Sequence, residues 1–263
     1  MSNFITIHNQ KIEYVYHDRD KTRPTLIFLH EGLGCIQMWR DFPAAVADAT
    51  GCNELVYNRA GYGASSPARL PRQVRYMHDE ALDVLPALLS KLDINKHILI
   101  GHSDGGSIAL INGGGVQSPD LLAIITLAAH VFNEEVCVRS IKEAKVAYET
   151  TNLRERLAKY HADVDNTFWG WGDIWLHPDF WHWNIEEYLP FIVVPLLAIQ
   201  GLDDQYGTTA QVEAIQKGVG QLADIRLMPD CQHSPHRDQR EATLAVMVDF
   251  IQKVLAKTAV LVR

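Results

Sequence analysis

A chain of 263 residues, 47% of them hydrophobic, can bury one sizeable core and fits a single α/β domain with an insertion better than two independent domains. Its 24 basic and 32 acidic residues give a formal charge of −8 with no basic block, which argues against a nucleic-acid partner. The start, Met1-Ser2-Asn3-Phe4-Ile5-Thr6, has no basic region leading into an apolar one, and no apolar run reaches the roughly eighteen residues of a membrane span, so a soluble, cytoplasmic chain with no membrane partner is expected.

In chain order, Phe4–Ile7 and Lys11–Tyr16 flank Asn9-Gln10 as an opening antiparallel hairpin. Thr25-Leu26-Ile27-Phe28-Leu29 is an unbroken apolar run of strand length, the pattern of a strand covered on both faces in a parallel sheet. Helical spacing from Met38 through Val46, closed by Gly51 before Glu54-Leu55-Val56-Tyr57, completes a β-α-β unit. The glycine-spaced loop Asn58 to Ser65 resembles a phosphate cradle, but no helix opens from it and no lysine follows, so it is expected to be a structural turn. Val74 to Leu92 carries apolar residues at three- and four-residue spacing, an amphipathic helix that crosses back to the run Ile98-Leu99-Ile100.

That run ends in Gly101-His102-Ser103-Asp104-Gly105, a Gly-x-Ser-x-Gly pattern between a strand and a helix. A turn this tight pushes a serine hydroxyl out beyond the sheet edge, where a nucleophile must stand, and the glycines avoid collisions with neighbouring backbone. The helix after Ser103 meets Gly113-Gly114-Gly115, each costing up to about 1 kcal/mol against alanine, so it is expected to end early or fray. Leu121–Leu127 is the next buried strand, and Ala128-Ala129-His130 its exit. Residues 131–190 then show helical stretches, Val138–Tyr148 and Leu153–His161, with five of the six tryptophans and no strand pattern. Sixty such residues between two buried strands are too many for an ordinary connection and predict a helical cap over the strand ends. Leu196–Gln200 returns to the sheet, Thr209–Lys217 is a helix, Ile225–Leu227 a last short strand, and Glu241–Leu255 a closing helix.

A serine needs a base to take its proton and a third group to hold that base in one tautomer. Both are offered after strands: Gly201-Leu202-Asp203-Asp204 and Cys231-Gln232-His233-Ser234-Pro235-His236. With its order Ser, Asp, His, the chain resembles the α/β-hydrolase superfamily, and within it the capped esterases, enol-lactonases and carbon–carbon hydrolases, over nearly its whole length. The resemblance implies a mostly parallel eight-stranded sheet flanked by helices, with a core of residues 1–130 and 191–263 and a helical cap, 131–190, inserted after strand six. It further implies Ser103 as nucleophile, His233 as base and Asp204 as acid, with Asp203 as the alternative acid. His236 sits one turn late for the base and is expected at the surface or behind the site, while His102 is expected to point back into the core.

Two backbone amides, of Gly32 and Asp104, are expected by the same resemblance to form the oxyanion hole. The chain departs from the usual pattern at Glu31, where glycine is commonest, and at Asn58, where aspartate more often stands. Carboxylates of Glu31 and Asp104 beside the hole would oppose an oxyanion by a few kcal/mol, roughly, at about 4 Å and an effective dielectric near 20, so both side chains must turn away. Leu33, His130, Trp169, Trp171 and Trp175 are the expected pocket residues, an aromatic lining suited to a small hydrophobic or aromatic substrate. Cys35, Cys52, Cys137 and Cys231 are scattered and read as free thiols, no histidines have metal-ligand spacing, and no cofactor is expected. The expected activity is cleavage of a small-molecule carboxylic ester through an acyl-enzyme, with lactone, thioester and vinylogous-diketone C–C cleavage, or a non-catalytic ligand-binding role, as alternatives. Oligomeric state has no signature in the sequence.

Overall fold

Side chains on the central strands alternate between two apolar layers, which is why those strands read as continuous hydrophobic runs. In the computed structural model, which describes residues 2–261, Leu26 and Phe28 face one core together with Ile98, Ile100, Val46 and Ile251. Ile27 and Leu29 face the other, with Leu99, Leu85, Leu88 and Ile108. The strands are β1 (Asn3–Ile7), β2 (Gln10–His17), β3 (Thr25–Leu29), β4 (Asn53–Asn58), β5 (His97–His102), β6 (Leu121–Leu127), β7 (Leu196–Gly201) and β8 (Ala223–Met228). They form one eight-stranded sheet in the order β1-β2-β4-β3-β5-β6-β7-β8. The β1–β2 and β2–β4 pairs are antiparallel and the rest of the sheet is parallel, as the expected fold requires.

The helix after Ser103 departs from expectation. It runs unbroken from Asp104 to Gly115, and the three glycines serve close packing, not termination. A Cβ on Gly113 would strike Ile124 Cδ1 and one on Gly114 the carbonyl of Tyr188, while one on Gly115 would lie 2.6 Å from Leu82 Cδ2. The helix therefore lies directly against β6 and the turn Glu186–Phe191, a gain in packing that outweighs the poor propensity of glycine. Gly114→Ala should accordingly lower the melting temperature, since overpacking against a backbone carbonyl costs about 1–3 kcal/mol and exceeds the propensity gain. A thermal melt of the variant checks this; a rise, as at an open helical position, is the contrary result.

Between β6 and β7 the chain forms helices Glu135–Thr150, Leu153–Leu157 and Val164–Trp175 and the short turns Pro178–His182 and Glu186–Phe191. The ends of this segment meet, Ile185 N donating to Val131 O at 2.8 Å. The glycine-spaced loop after β4 is one of its anchors: Ala162 N donates to Gly63 O at 2.8 Å, and Asn166 Nδ2 to Ala68 O at 3.0 Å. Asn58, where aspartate more often stands, uses its amide both ways, accepting from Ile36 N at 2.7 Å and donating to Glu13 Oε2 at 2.7 Å. An aspartate could not make the second bond. Among the described residues no helix is long and apolar enough to cross a membrane.

Candidate active site

The loops that leave the carboxyl ends of β3, β5, β6, β7 and β8 converge on one edge of the sheet, the place where open α/β sheets bind ligands. Ser103 sits there between β5 and its helix with φ 52° and ψ −117°, a strained conformation for a residue with a Cβ. Close packing around the turn holds it: a Cβ on Gly101 would strike Gly105 O, and one on Gly105 would strike Leu29 O. Ser103 N is tied to Leu127 O at 2.9 Å.

His233 lies on the loop after β8, and its Nδ1 donates to Asp204 Oδ1 and Oδ2, both at 2.9 Å. Asp204 is otherwise committed as an acceptor, from Tyr206 N at 2.8 Å and Gln200 Nε2 at 2.7 Å. Burial alone would raise its pKa, but the charge and hydrogen bond of His233 and the Tyr206 amide hold it below the ordinary aspartate value. Asp203 is exposed and shares only its backbone with this loop, its N–H donating to Cys231 O at 2.9 Å. The close approach of the two loops depends on Gly201, where a Cβ would strike the carbonyls of Cys231 and Gln232.

Ser103 and His233 line one cavity of about 230 Å³. Among the described residues Ser103 Oγ has no hydrogen-bond partner; hydrogen bonds of this kind are often long or unformed in substrate-free sites. The other walls are Leu33, Met38, His130, Cys137, Ile141, Leu157, Trp171, Trp175 and Tyr206, together with Glu31, Gly32, Asp104, Gln205 and Ser234, and no lysine or arginine is among the lining residues. Leu33, His130, Trp171 and Trp175 thus line one cavity with Ser103. Trp169 does not: on the same helix it turns outward, edge-on to Tyr148 at 5.6 Å with Lys145 Nζ 5.2 Å over its ring. His130 is 2% exposed, and burial, with His233 adding to it, pushes its pKa down to about 4, so its ring is neutral near pH 7. A larger groove, about 680 Å³, lies at the opposite edge between Thr25, Asn53 and Lys96, far from any serine–histidine pair.

Gly32 and Asp104 present the two amides. The Gly32 N–H has no acceptor among the described residues, and Asp104, first in its helix, has none within that helix. Trp171 packs its indole on Gly32 so closely that any Cβ there would collide with Nε1 and Cδ1. Both suspect carboxylates are turned away. Asp104 accepts from Tyr76 OH at 2.7 Å, Trp175 Nε1 at 3.3 Å and Arg59 Nη1 at 3.5 Å. Arg59 also donates to the carbonyls of His30 and Glu31 at 3.1 and 2.9 Å, which fixes the loop that carries Gly32. Glu31 instead meets His102 Nδ1 at 2.6 Å.

His236 is buried, 4% exposed, its ring 4.8 Å from Trp39 and 4.9 Å from His102, behind the site. Arg59 and Tyr76 were not visible as site residues in the sequence, although an arginine in the turn after β4 is the signal that could have pointed to the first. Met38, Cys137, Ile141, Leu157 and Tyr206 carried no such signal, since apolar residues at helical spacing read equally well as core.

The sequence from residue 26 to 246 matches the model of the alpha/beta hydrolase family. The chain belongs to this family. A curated relative, the sn-1-specific diacylglycerol lipase ABHD11 of Danio rerio, is 23% identical, the match covering 86% of this chain and 78% of that protein. Among solved structures, the proline iminopeptidase of Mycobacterium smegmatis superposes with a TM-score of 0.77 at 16% identity, covering 98% of this chain and 100% of that one. The enol-lactonase of Burkholderia xenovorans LB400 does so at 0.76 and 18%, covering 95% and 99%. Proteins named for such different reactions share this fold, and a fold does not by itself set the reaction.

Proposed function

We propose that the protein is a cofactor-independent serine hydrolase that cleaves small, uncharged carboxylic esters through an acyl-enzyme on Ser103. The observation that carries this reading is that His233, held by Asp204, faces the same cavity as the strained Ser103. In this reading Ser103 Oγ attacks the acyl carbon while His233 Nε2 takes its proton, and Asp204 stabilises the imidazolium. The tetrahedral oxyanion is received by the N–H groups of Gly32 and Asp104. Its collapse breaks the C–O bond to the alkoxide, which leaves with the proton from His233. A water, deprotonated by the same imidazole, then attacks the acyl-enzyme and releases the acid.

Residues 131–190 act as the cap in this reading, since Cys137, Ile141, Leu157, Trp171 and Trp175 supply the wall opposite Ser103. The lining and the volume support the substrate class. About 230 Å³ is below the usual 300–1,000 Å³ of ligand pockets, which suits a short or single-ring acyl group and not two long acyl chains. A carboxylate or phosphate would find no cation among the lining residues, neither Arg139 nor Lys142 being one of them.

Hydrolysis of a p-nitrophenyl ester series tests this directly. The expected kcat/KM is highest for acetate to hexanoate and at least about tenfold lower for dodecanoate, each buried methylene ceasing to pay once the cavity is full. A dicarboxylate monoester should be the poorest. Fluorophosphonate labelling confined to Ser103 would support the nucleophile assignment, and its absence would leave the fold as a binding scaffold.

A further inference from the structure

The His102 ring is 1% exposed and faces two acceptors. Its Nε2 lies 2.6 Å from the carbonyl oxygen of His233, and its Nδ1 lies 2.6 Å from Glu31 Oε2. A carbonyl oxygen only accepts, so Nε2 carries a proton. An ionised carboxylate also only accepts, so Nδ1 must carry one too. Glu31 is ionised: burial opposes it, but the charge and the hydrogen bond of His102, with Arg237 nearby, hold its carboxyl well below the ordinary range.

We propose that His102 is an imidazolium, and that it forms with Glu31 a buried ion pair which positions the His233 loop against the loop carrying Gly32. The pair solves two problems at once. Glu31 alone would place a negative charge one residue from the Gly32 amide, against a developing oxyanion. His102 alone would place a positive charge in a ring 5.2 Å from that of His233, against the imidazolium formed there during turnover. Joined, they present no net charge to either, and the charge-assisted bonds lock three segments: the β3 exit, the residue before the nucleophile and the backbone of His233. The other groups facing the pair do not replace either partner. Burial pushes His236 well below the usual histidine value, leaving it neutral, and Arg237 is exposed and donates to Met38 O at 2.8 Å. His102 and Glu31 are thus positioning residues, acting through His233 and Gly32.

This inference rests on reading Ser103 and His233 as nucleophile and base, and the tests keep the two apart. The first is a double-mutant cycle on kcat for a short ester. His102→Gln strands the Glu31 carboxylate beside the oxyanion and should cost about 10²-fold with KM little changed. Glu31→Gln can keep both hydrogen bonds with a neutral ring, its amide donating to Nδ1, and should cost about tenfold. The double variant should be faster than His102→Gln alone, because the stranded charge is gone. Losses that simply multiply would overturn the proposal. The second measurement needs no turnover: ¹⁵N spectra of the His102 ring at pH 7.5 should show both nitrogens protonated in the wild type and one in Glu31→Gln. A wild-type ring with a single N–H would overturn the ion pair even if every kinetic expectation held. Conversely, a doubly protonated ring in a protein that fluorophosphonates do not label would keep the pair and remove the catalytic reading.

Discussion

Ser103→Ala is expected to remove turnover, by on the order of 10⁶-fold if the serine and histidine work as a unit, while leaving the melting temperature within about 2 °C of wild type. The kinetic half follows from the elbow. A phenol and a thiol also line the cavity: Tyr206 is pushed up to about 12 by burial and the neighbouring negative groups, and burial pushes the Cys137 thiol well above its ordinary range. Neither can take over as a nucleophile near neutral pH. The stability half follows from the same place. Ser103 Oγ holds nothing in the protein, so its removal leaves no partner unsatisfied, and the strain at φ 52° belongs to the backbone and persists with alanine. Stopped assays with a sensitive fluorogenic ester and a thermal melt measure both. Retention of more than a few per cent of the activity would take Ser103 out of the nucleophile's role, and a fall of ten degrees would mean that the hydroxyl supports the fold.

How much of this was legible beforehand depends on whether the signal is local. The elbow was, because five consecutive residues and their flanking apolar runs encode both a steric demand and a chemical one. The strands were, since burial on both faces leaves an unbroken hydrophobic run that no helix of that length needs. The run Gly113-Gly114-Gly115 was misleading for the converse reason. Propensity is local, but the neighbours that require glycine there, Ile124 and the Tyr188 carbonyl, come from other segments of the chain. Trp169 failed as a pocket residue in the same way. Period alone shows that Trp169, Trp171 and Trp175 cannot share a helix face, yet which of them turns outward is decided by Tyr148 and Lys145 on another helix. The two carboxylates beside the amides are the sharpest case. Sequence and electrostatics together required Glu31 and Asp104 to turn away, but not toward what. The partners, His102 for one and Tyr76, Trp175 and Arg59 for the other, come from four different segments.

Asp204→Asn should cost about 10⁴-fold in kcat, while Asp203→Asn should stay within about twofold of wild type. Asp204 receives four donors: His233 Nδ1, Tyr206 N at 2.8 Å, Gly207 N at 3.3 Å and Gln200 Nε2 at 2.7 Å. An asparagine has one oxygen to offer. If that oxygen keeps the Tyr206 amide, its NH₂ is left facing the Gln200 amide and the His233 ring, and the only accommodation open to the ring is to turn Nδ1 into an acceptor. The proton then sits on Nε2, the nitrogen that must receive the Ser103 proton, so the imidazole is present, in place and in the wrong tautomer. Binding is untouched, because the carboxylate is not among the cavity walls, so the loss belongs in kcat and not in KM. Asp203 makes none of these contacts and is exposed to solvent. Steady-state kinetics on the two variants, with a fluorophosphonate labelling rate for each, separates them. A larger loss for Asp203→Asn would shift the acid one residue along the loop, and a loss under tenfold for Asp204→Asn would mean that the His233 tautomer is set from elsewhere.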